Sequence, residues 1–270
     1  MRRLGFVVAL AGLLAMAAPG AAFASGPKAG ACVNGHMAGG TYSSFTVRGV
    51  CNIAFGATVH VTGNLTIAPW ASLDDHGAEK WLKGEIHVGG NVLVGQGAVL
   101  GLGWNQPGGD GTLGPDTVGG NIVASQPRAL QIGGVTIGGN LISSGGGVAS
   151  TALADFRNFP VKDNVVHGNI VVNGWHGGWI GLIRNTVDGN VIFTNNVSAS
   201  SDTGPGTDSD SSEIMGSDLT HVGGPIIPQT ISGNLICFGN VPAAQVNPLD
   251  GGAPSVVGGK GIGQCAGLTQ

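Results

Sequence analysis

The chain reads as an all-β protein, a right-handed single-stranded parallel β-helix with irregular capped ends, and three observations predict it. Gly-Asn followed by an aliphatic residue occurs seven times, at Gly63-Asn64-Leu65, Gly90-Asn91-Val92, Gly120-Asn121-Ile122, Gly139-Asn140-Leu141, Gly168-Asn169-Ile170, Gly189-Asn190-Val191 and Gly233-Asn234-Leu235. Apolar side chains alternate on both sides of each copy. Val61, Val88, Val118, Ile137, Val166, Val187 and Ile231 stand three places before the Asn, and Ile67, Val94, Ala124, Ser143, Val172, Phe193 and Cys237 three places after it. A strand therefore enters the Gly-Asn corner and another leaves it. Successive motif asparagines are 27, 30, 19, 29, 21 and 44 residues apart. Those lengths suit one coil of a parallel solenoid, the longer ones carrying loops. The right hand follows from the preferred crossover between parallel strands.

Each part of the coil has its own reason. Glycine at the corner permits positive φ, and asparagine is the next most tolerant residue of a left-handed bend. Stacked asparagine amides can bond from coil to coil, so the seven read as a structural ladder. Coils about 4.8 Å apart bury their apolar faces only by stacking. Open strand edges need caps. Thr41 to Ile53 reads as an irregular first coil. Ser255-Val256-Val257-Gly258-Gly259-Lys260 imitates the repeat at the other end, with lysine in place of asparagine. Residues 102–116, with Trp104, Pro107, Gly108, Gly109 and Asp110, read as a loop. The Ser/Asp/Gly-rich stretch 198–222 reads as the largest insertion, solvated and flexible.

Residues 1–24 read as a signal peptide. Arg2 and Arg3 precede an apolar run from Leu4 to Ala18, and Ala22-Phe23-Ala24 forms the cleavage pattern before Ser25. The run is shorter than the roughly 20 residues that span a bilayer, so no membrane insertion of the mature chain is expected. Residues 25–270 then form one solenoid domain, secreted to the extracellular space or cell surface. Ala29-Gly30-Ala31 before Cys32 lacks the leucine expected of a lipid-anchor site.

Loss of the leader leaves 9 basic against 15 acidic side chains, a formal net charge of −6, which disfavours a nucleic-acid partner. The four cysteines form an even set in an oxidising compartment. Cys32 and Cys51 lie at one end and Cys237 and Cys265 at the other, so local pairing is favoured, each bridge pinning one end. Neither pair has the spacing of a zinc site.

The last coil, Ile231-Ser232-Gly233-Asn234-Leu235-Ile236-Cys237-Phe238-Gly239-Asn240-Val241-Pro242, and the closing Gly263-Gln264-Cys265-Ala266-Gly267-Leu268 resemble the C-terminal signature of secreted, glycine-rich repeat proteins of actinobacteria with Gly-Asn-Leu solenoid coils. The resemblance covers most of the mature chain and implies an exported or cell-surface solenoid, without an activity to carry over. The repeats are more loosely similar to the polymer-forming bactofilins, whose cytoplasmic role the signal peptide argues against.

Aligning the coils of Asn169 and Asn190 stacks His167 over Asp188 and Asp163 over Arg184, both outward, each pair 21 residues apart. Trp175, His176 and Trp179 follow closely and are the candidate ligand-binding residues. Glycan-cleaving solenoids need carboxylates, a base and rings that stack on sugars. Arg184, His167 and Asp188 are therefore the candidate catalytic set of a polysaccharide lyase or glycoside hydrolase. The plainer reading makes both pairs cross-strand ion pairs that favour the register.

Asp208, Asp210 and Glu213 in the acidic stretch offer oxygens for calcium, although they do not follow the EF-hand pattern. No phosphate loop follows Gly145-Gly146-Gly147, and there is no Gly-x-Ser-x-Gly elbow. The threonines are scattered along the chain, unlike the regular array of an ice-binding face. The expectation is thus a non-enzymatic secreted solenoid with a structural, adhesive or glycan-binding role, its partner a polysaccharide or cell-wall glycan. The carbohydrate-active enzyme is the alternative.

Overall fold

The computed structural model describes residues 26–74, 84–103, 114–147, 159–178, 180–198, 212–215, 228–246 and 253–267. Among these residues the secondary structure is all strand and turn, in parallel sheets of 10, 8, 9 and 2 strands. The chain meets three faces in turn. In one coil these are the first-face strand Val92–Val94, the second-face strand Val99–Gly103 and the third-face strand Thr117–Val118, after which the Gly120-Asn121 corner starts the next coil at Ile122–Ser125. The fourth sheet adds a short side to two later coils, pairing His176–Gly177 with Val197–Ser198. The fold is the expected parallel β-solenoid.

The motif sets the register. Leu65, Val92, Ile122, Leu141, Ile170, Val191 and Leu235 stack in one column, each paired with the next. All seven are fully buried. Inward positions two residues away, such as Ile67, Val172 and Phe193, are equally buried. Every coil thus contributes several aliphatic side chains to one continuous core, each worth about 1.5–3 kcal/mol when removed from water. Outward on the same face, Leu93, Val123, Ile142, Val171, Ile192 and Ile236 form an aliphatic column that is only partly covered.

The Asn ladder exists, for a different reason than tolerance of a bend. Each motif Asn from Asn64 to Asn190 accepts two hydrogen bonds on Oδ1 from the next Asn in the stack. Asn121 donates its backbone N–H to Asn91 at 2.8 Å and its Nδ2 at 3.0 Å, and the pattern continues unbroken to Asn234. Neither the motif glycines nor the motif asparagines have positive φ. Glycine is required because a Cβ on Gly168 would lie 2.6 Å from Asn140 Oδ1 and 2.7 Å from the Gly139 carbonyl oxygen. The coils stack backbone on backbone at this corner. Left-handed residues occupy other corners, where Gln126, Gly145, Gly174, Asn195 and Gly239 form one stack and Gly134, Asp163 and Arg184 another.

Both ends depart from the sequence reading in detail. The N-terminal coil is regular, with strands Gly30–Cys32, Gly35–Met37 and Gly40–Tyr42 in parallel register with the second coil. Thr41 to Ile53 is therefore the junction of two ordinary coils. Both local disulfides form, Cys32–Cys51 and Cys237–Cys265. At the C-terminal end Lys260 donates its N–H to Asn234 Oδ1, and its ammonium offers no acceptor for another rung. The stretch 198–222 is not one loop, because Ser212–Met215 is a second-face strand paired with Ile180–Ile183. Trp104, Pro107, Gly108, Gly109 and Asp110 lie outside the described residues. Thr117, Thr136, Thr186 and Thr230, scattered in sequence, share one third-face column with Val165.

Candidate functional site

Paired residues from Phe159↔Ile180 to Gly177↔Ser198 keep one constant offset of 21, so outward side chains of one coil stand over those of the next. The pair Val165 and Thr186 fixes this register on the third face. Two residues further, His167 Nδ1 and Asp188 Oδ2 are 2.7 Å apart, each side chain about half exposed at 52%. An exposed pair of this kind contributes little stability, typically 0–1 kcal/mol. Its position leaves both groups open to a ligand.

The second pair is built differently. Asp163 and Arg184 follow the second-face strands Phe159–Lys162 and Ile180–Ile183 and both turn into the left-handed region, with φ of 60° and 56°. Arg184 donates Nε to Asp163 Oδ1 at 2.6 Å and Nη2 to Oδ2 at 2.8 Å. The side chains are 4% and 10% exposed. The expected outward charged patch is therefore only half present. Its arginine is covered, and its guanidinium fork is engaged bidentately by a carboxylate. A group so held is poorly placed to stabilise charge developing on a substrate.

The aromatic candidates separate in the same way. Trp175 is fully buried, its ring meeting Phe159 edge-on at 4.8 Å. It packs the core and offers no surface to a ligand, which corrects the expected stacking role. At this corner the Trp175 backbone N–H donates to Asn196 Oδ1 at 2.9 Å, while the side chain lies in the core. His176 is exposed. Trp179 lies outside the described residues, as do Asp208 and Asp210. Glu213 falls in the strand Ser212–Met215. Among the described residues no group of three or more His, Cys, Asp or Glu is placed to hold a metal ion.

Two internal ladders escaped the sequence reading. At the corner between the second and third faces, Asn164 donates N–H and Nδ2 to Asn185 Oδ1 at 3.1 and 3.0 Å, and Asn185 donates Nδ2 to Gln229 Oε1 at 3.0 Å. Asn196, Asn240 and Gln264 repeat the scheme beside the fourth sheet. In both, the earlier coil donates to the later one, opposite to the Gly-Asn ladder, and a glutamine takes the last position. The signal was available, because Asn164, Asn185 and Gln229 repeat at the 21- and 44-residue intervals of Asn169, Asn190 and Asn234.

A surface aromatic was also missed. Trp70 is 73% exposed at the corner between the first and second faces. Aligned on the motif Asn, it occupies the place that Gly97 fills in the next coil. Comparison with known proteins finds no matching family model, no similar curated protein and no similar solved structure.

Proposed function

We propose that this protein is an exported, non-enzymatic solenoid with a structural or adhesive role outside the cell, engaging glycan through its outer surface. The observation that carries the reading is the closed Asp163–Arg184 pair, which takes the only arginine of the candidate catalytic set into the scaffold. The exposed His167–Asp188 pair itself brings one carboxylate, whereas glycan cleavage commonly uses two. Two disulfides are consistent with an oxidising environment, and the aliphatic outer column of the first face suits an adhesive element.

The test is to incubate the protein with a panel of neutral and acidic polysaccharides, with and without calcium, and to follow polymer mass by light scattering after chromatography. Unchanged mass is expected. A fall in mass that survives removal of contaminating activity would overturn the reading in favour of a lyase or hydrolase.

A further inference from the structure

We infer that the corner carrying Trp70 is a binding site for a polysaccharide chain, with the indole as the platform for one pyranose ring. The inference rests on the non-enzymatic reading above and gives it a site and a ligand.

Two features of Trp70 work against the fold. The turn Ala68–Ala71 is closed by the Ala71 N–H on the Ala68 oxygen at 3.0 Å, with Pro69 second and Trp70 third at φ 65°. A turn with proline second and positive φ third calls for glycine. The next coil obeys, its turn Gly95–Ala98 closing at 3.1 Å with Gly97 at φ 67°. A bulky residue at positive φ is an outlier. The indole lies against Gly97, where a Cβ would meet its ring, yet it remains 73% exposed. Tryptophan is highly buried on average, so this one is neither relaxed in its backbone nor sheltered from water. Strain and exposure that folding does not need point to a residue held for contact.

The neighbourhood selects the ligand. Val33 and Val50, 62% and 70% exposed, lie on the two preceding coils of the same corner. On the two following coils stand the exposed Gln96 and Gln126, the Trp70 backbone N–H donating to the Gln96 backbone carbonyl at 2.9 Å and the Gly97 N–H to the Gln126 backbone carbonyl at 2.8 Å. The column advances about 4.8 Å per coil. An aromatic platform followed by two carboxamides matches a sugar chain laid along the solenoid axis. The apolar C–H face of one ring stacks on the indole, and the hydroxyl rims of its neighbours meet amide donors and acceptors. The segments 33–34, 48–50, 68–71, 95–98 and 125–128 carry no Asp or Glu, while Arg48 is exposed among them, so neutral and acidic glycans are both admissible. One tryptophan and two valines fall far short of the roughly 800 Å² per partner of a stable protein interface.

The probes are hydroxyethylcellulose and polygalacturonate, each in affinity electrophoresis and titration calorimetry with wild type, Trp70→Gly and Trp70→Phe. At least one polymer is expected to bind wild type. Trp70→Gly should weaken that binding about tenfold or more, the scale of a lost stacking contact, while its unfolding midpoint stays level or rises. Trp70→Phe should keep part of the binding. Failure of both polymers to bind wild type would overturn the site, as would undiminished binding by Trp70→Gly. A large fall in the midpoint of Trp70→Gly would show a packing residue, and self-association abolished by Trp70→Gly without polymer binding would show a second copy as the occupant. Each of these leaves the non-enzymatic reading standing, which only a fall in polymer mass defeats.

Discussion

Arg184 grips both carboxylate oxygens of Asp163 across two adjacent coils, at 2.6 and 2.8 Å, with almost none of either side chain in water. Removing one partner of such a pair strands a buried charge, a loss of about 3–5 kcal/mol. Arg184→Ala is therefore expected to shift the denaturant midpoint strongly, and the double variant with Asp163→Ala should recover part of the loss. An Arg184→Ala protein as stable as wild type would show that the pair does not hold the register.

The opposed ladders make unequal demands. Asn185 is fully buried and its side chain makes four bonds, accepting from Asn164 N–H and Nδ2 on Oδ1 and donating Nδ2 to the Val161 backbone oxygen and Gln229 Oε1. Asn169 stands at a part-exposed corner where water can replace a lost amide. Asn185→Ala should destabilise by at least about 2–3 kcal/mol, several orphaned groups at once, and Asn169→Ala by about 1 kcal/mol. Calorimetric midpoints of the two variants check the order, and equal shifts would contradict it.

The architecture was legible because the Gly-Asn corner repeats on the surface of the sequence as well as in space. Seven copies fixed the register from Leu65 to Leu235, and with it the stacking of His167 on Asp188 and of Asp163 on Arg184. What the pattern could not supply was depth. Outward parity is the same for His167 and Arg184, but the left-handed turn at Arg184 lays its side chain along the corner, where it is covered. Trp175 misled for a related reason: an aromatic after glycine reads as a loop residue until the Asn196 carboxamide that holds its backbone N–H is known. Trp70 gave no such signal, because a single tryptophan in the place of a glycine forms no cluster and repeats in no other coil.

Glycines that look alike in the sequence should respond differently to alanine. At Gly168 the new Cβ meets Asn140 Oδ1 and the Gly139 backbone at 2.6–2.8 Å, so coils must part, at about 1–3 kcal/mol. At Gly174 the nearest atom would be 3.8 Å away and only the left-handed φ of 73° opposes substitution. Asn195 adopts that conformation one coil later, at φ 55°. Gly174→Asn should therefore be nearly neutral in thermal unfolding, whereas Gly168→Ala lowers the midpoint; the reverse order would mean that backbone stacking does not limit the Gly-Asn corner.

The end bridges are expected to act locally. Cys32–Cys51 closes 19 residues of separation across the first two coils, and Cys237–Cys265 closes 28 across the last. Loop-closure arguments put each at about 3 kcal/mol. A solenoid coil contacts only its neighbours, so that loss should appear first as opening of the end coil and spread inward by nearest-neighbour coupling. Hydrogen exchange on Cys32→Ser/Cys51→Ser should show protection lost over the strands from Gly30 to Val61 and kept over Ile170–Asn173 and Val191–Thr194. Uniform loss along the chain would instead make the whole stack one cooperative unit, with each bridge stabilising every coil equally.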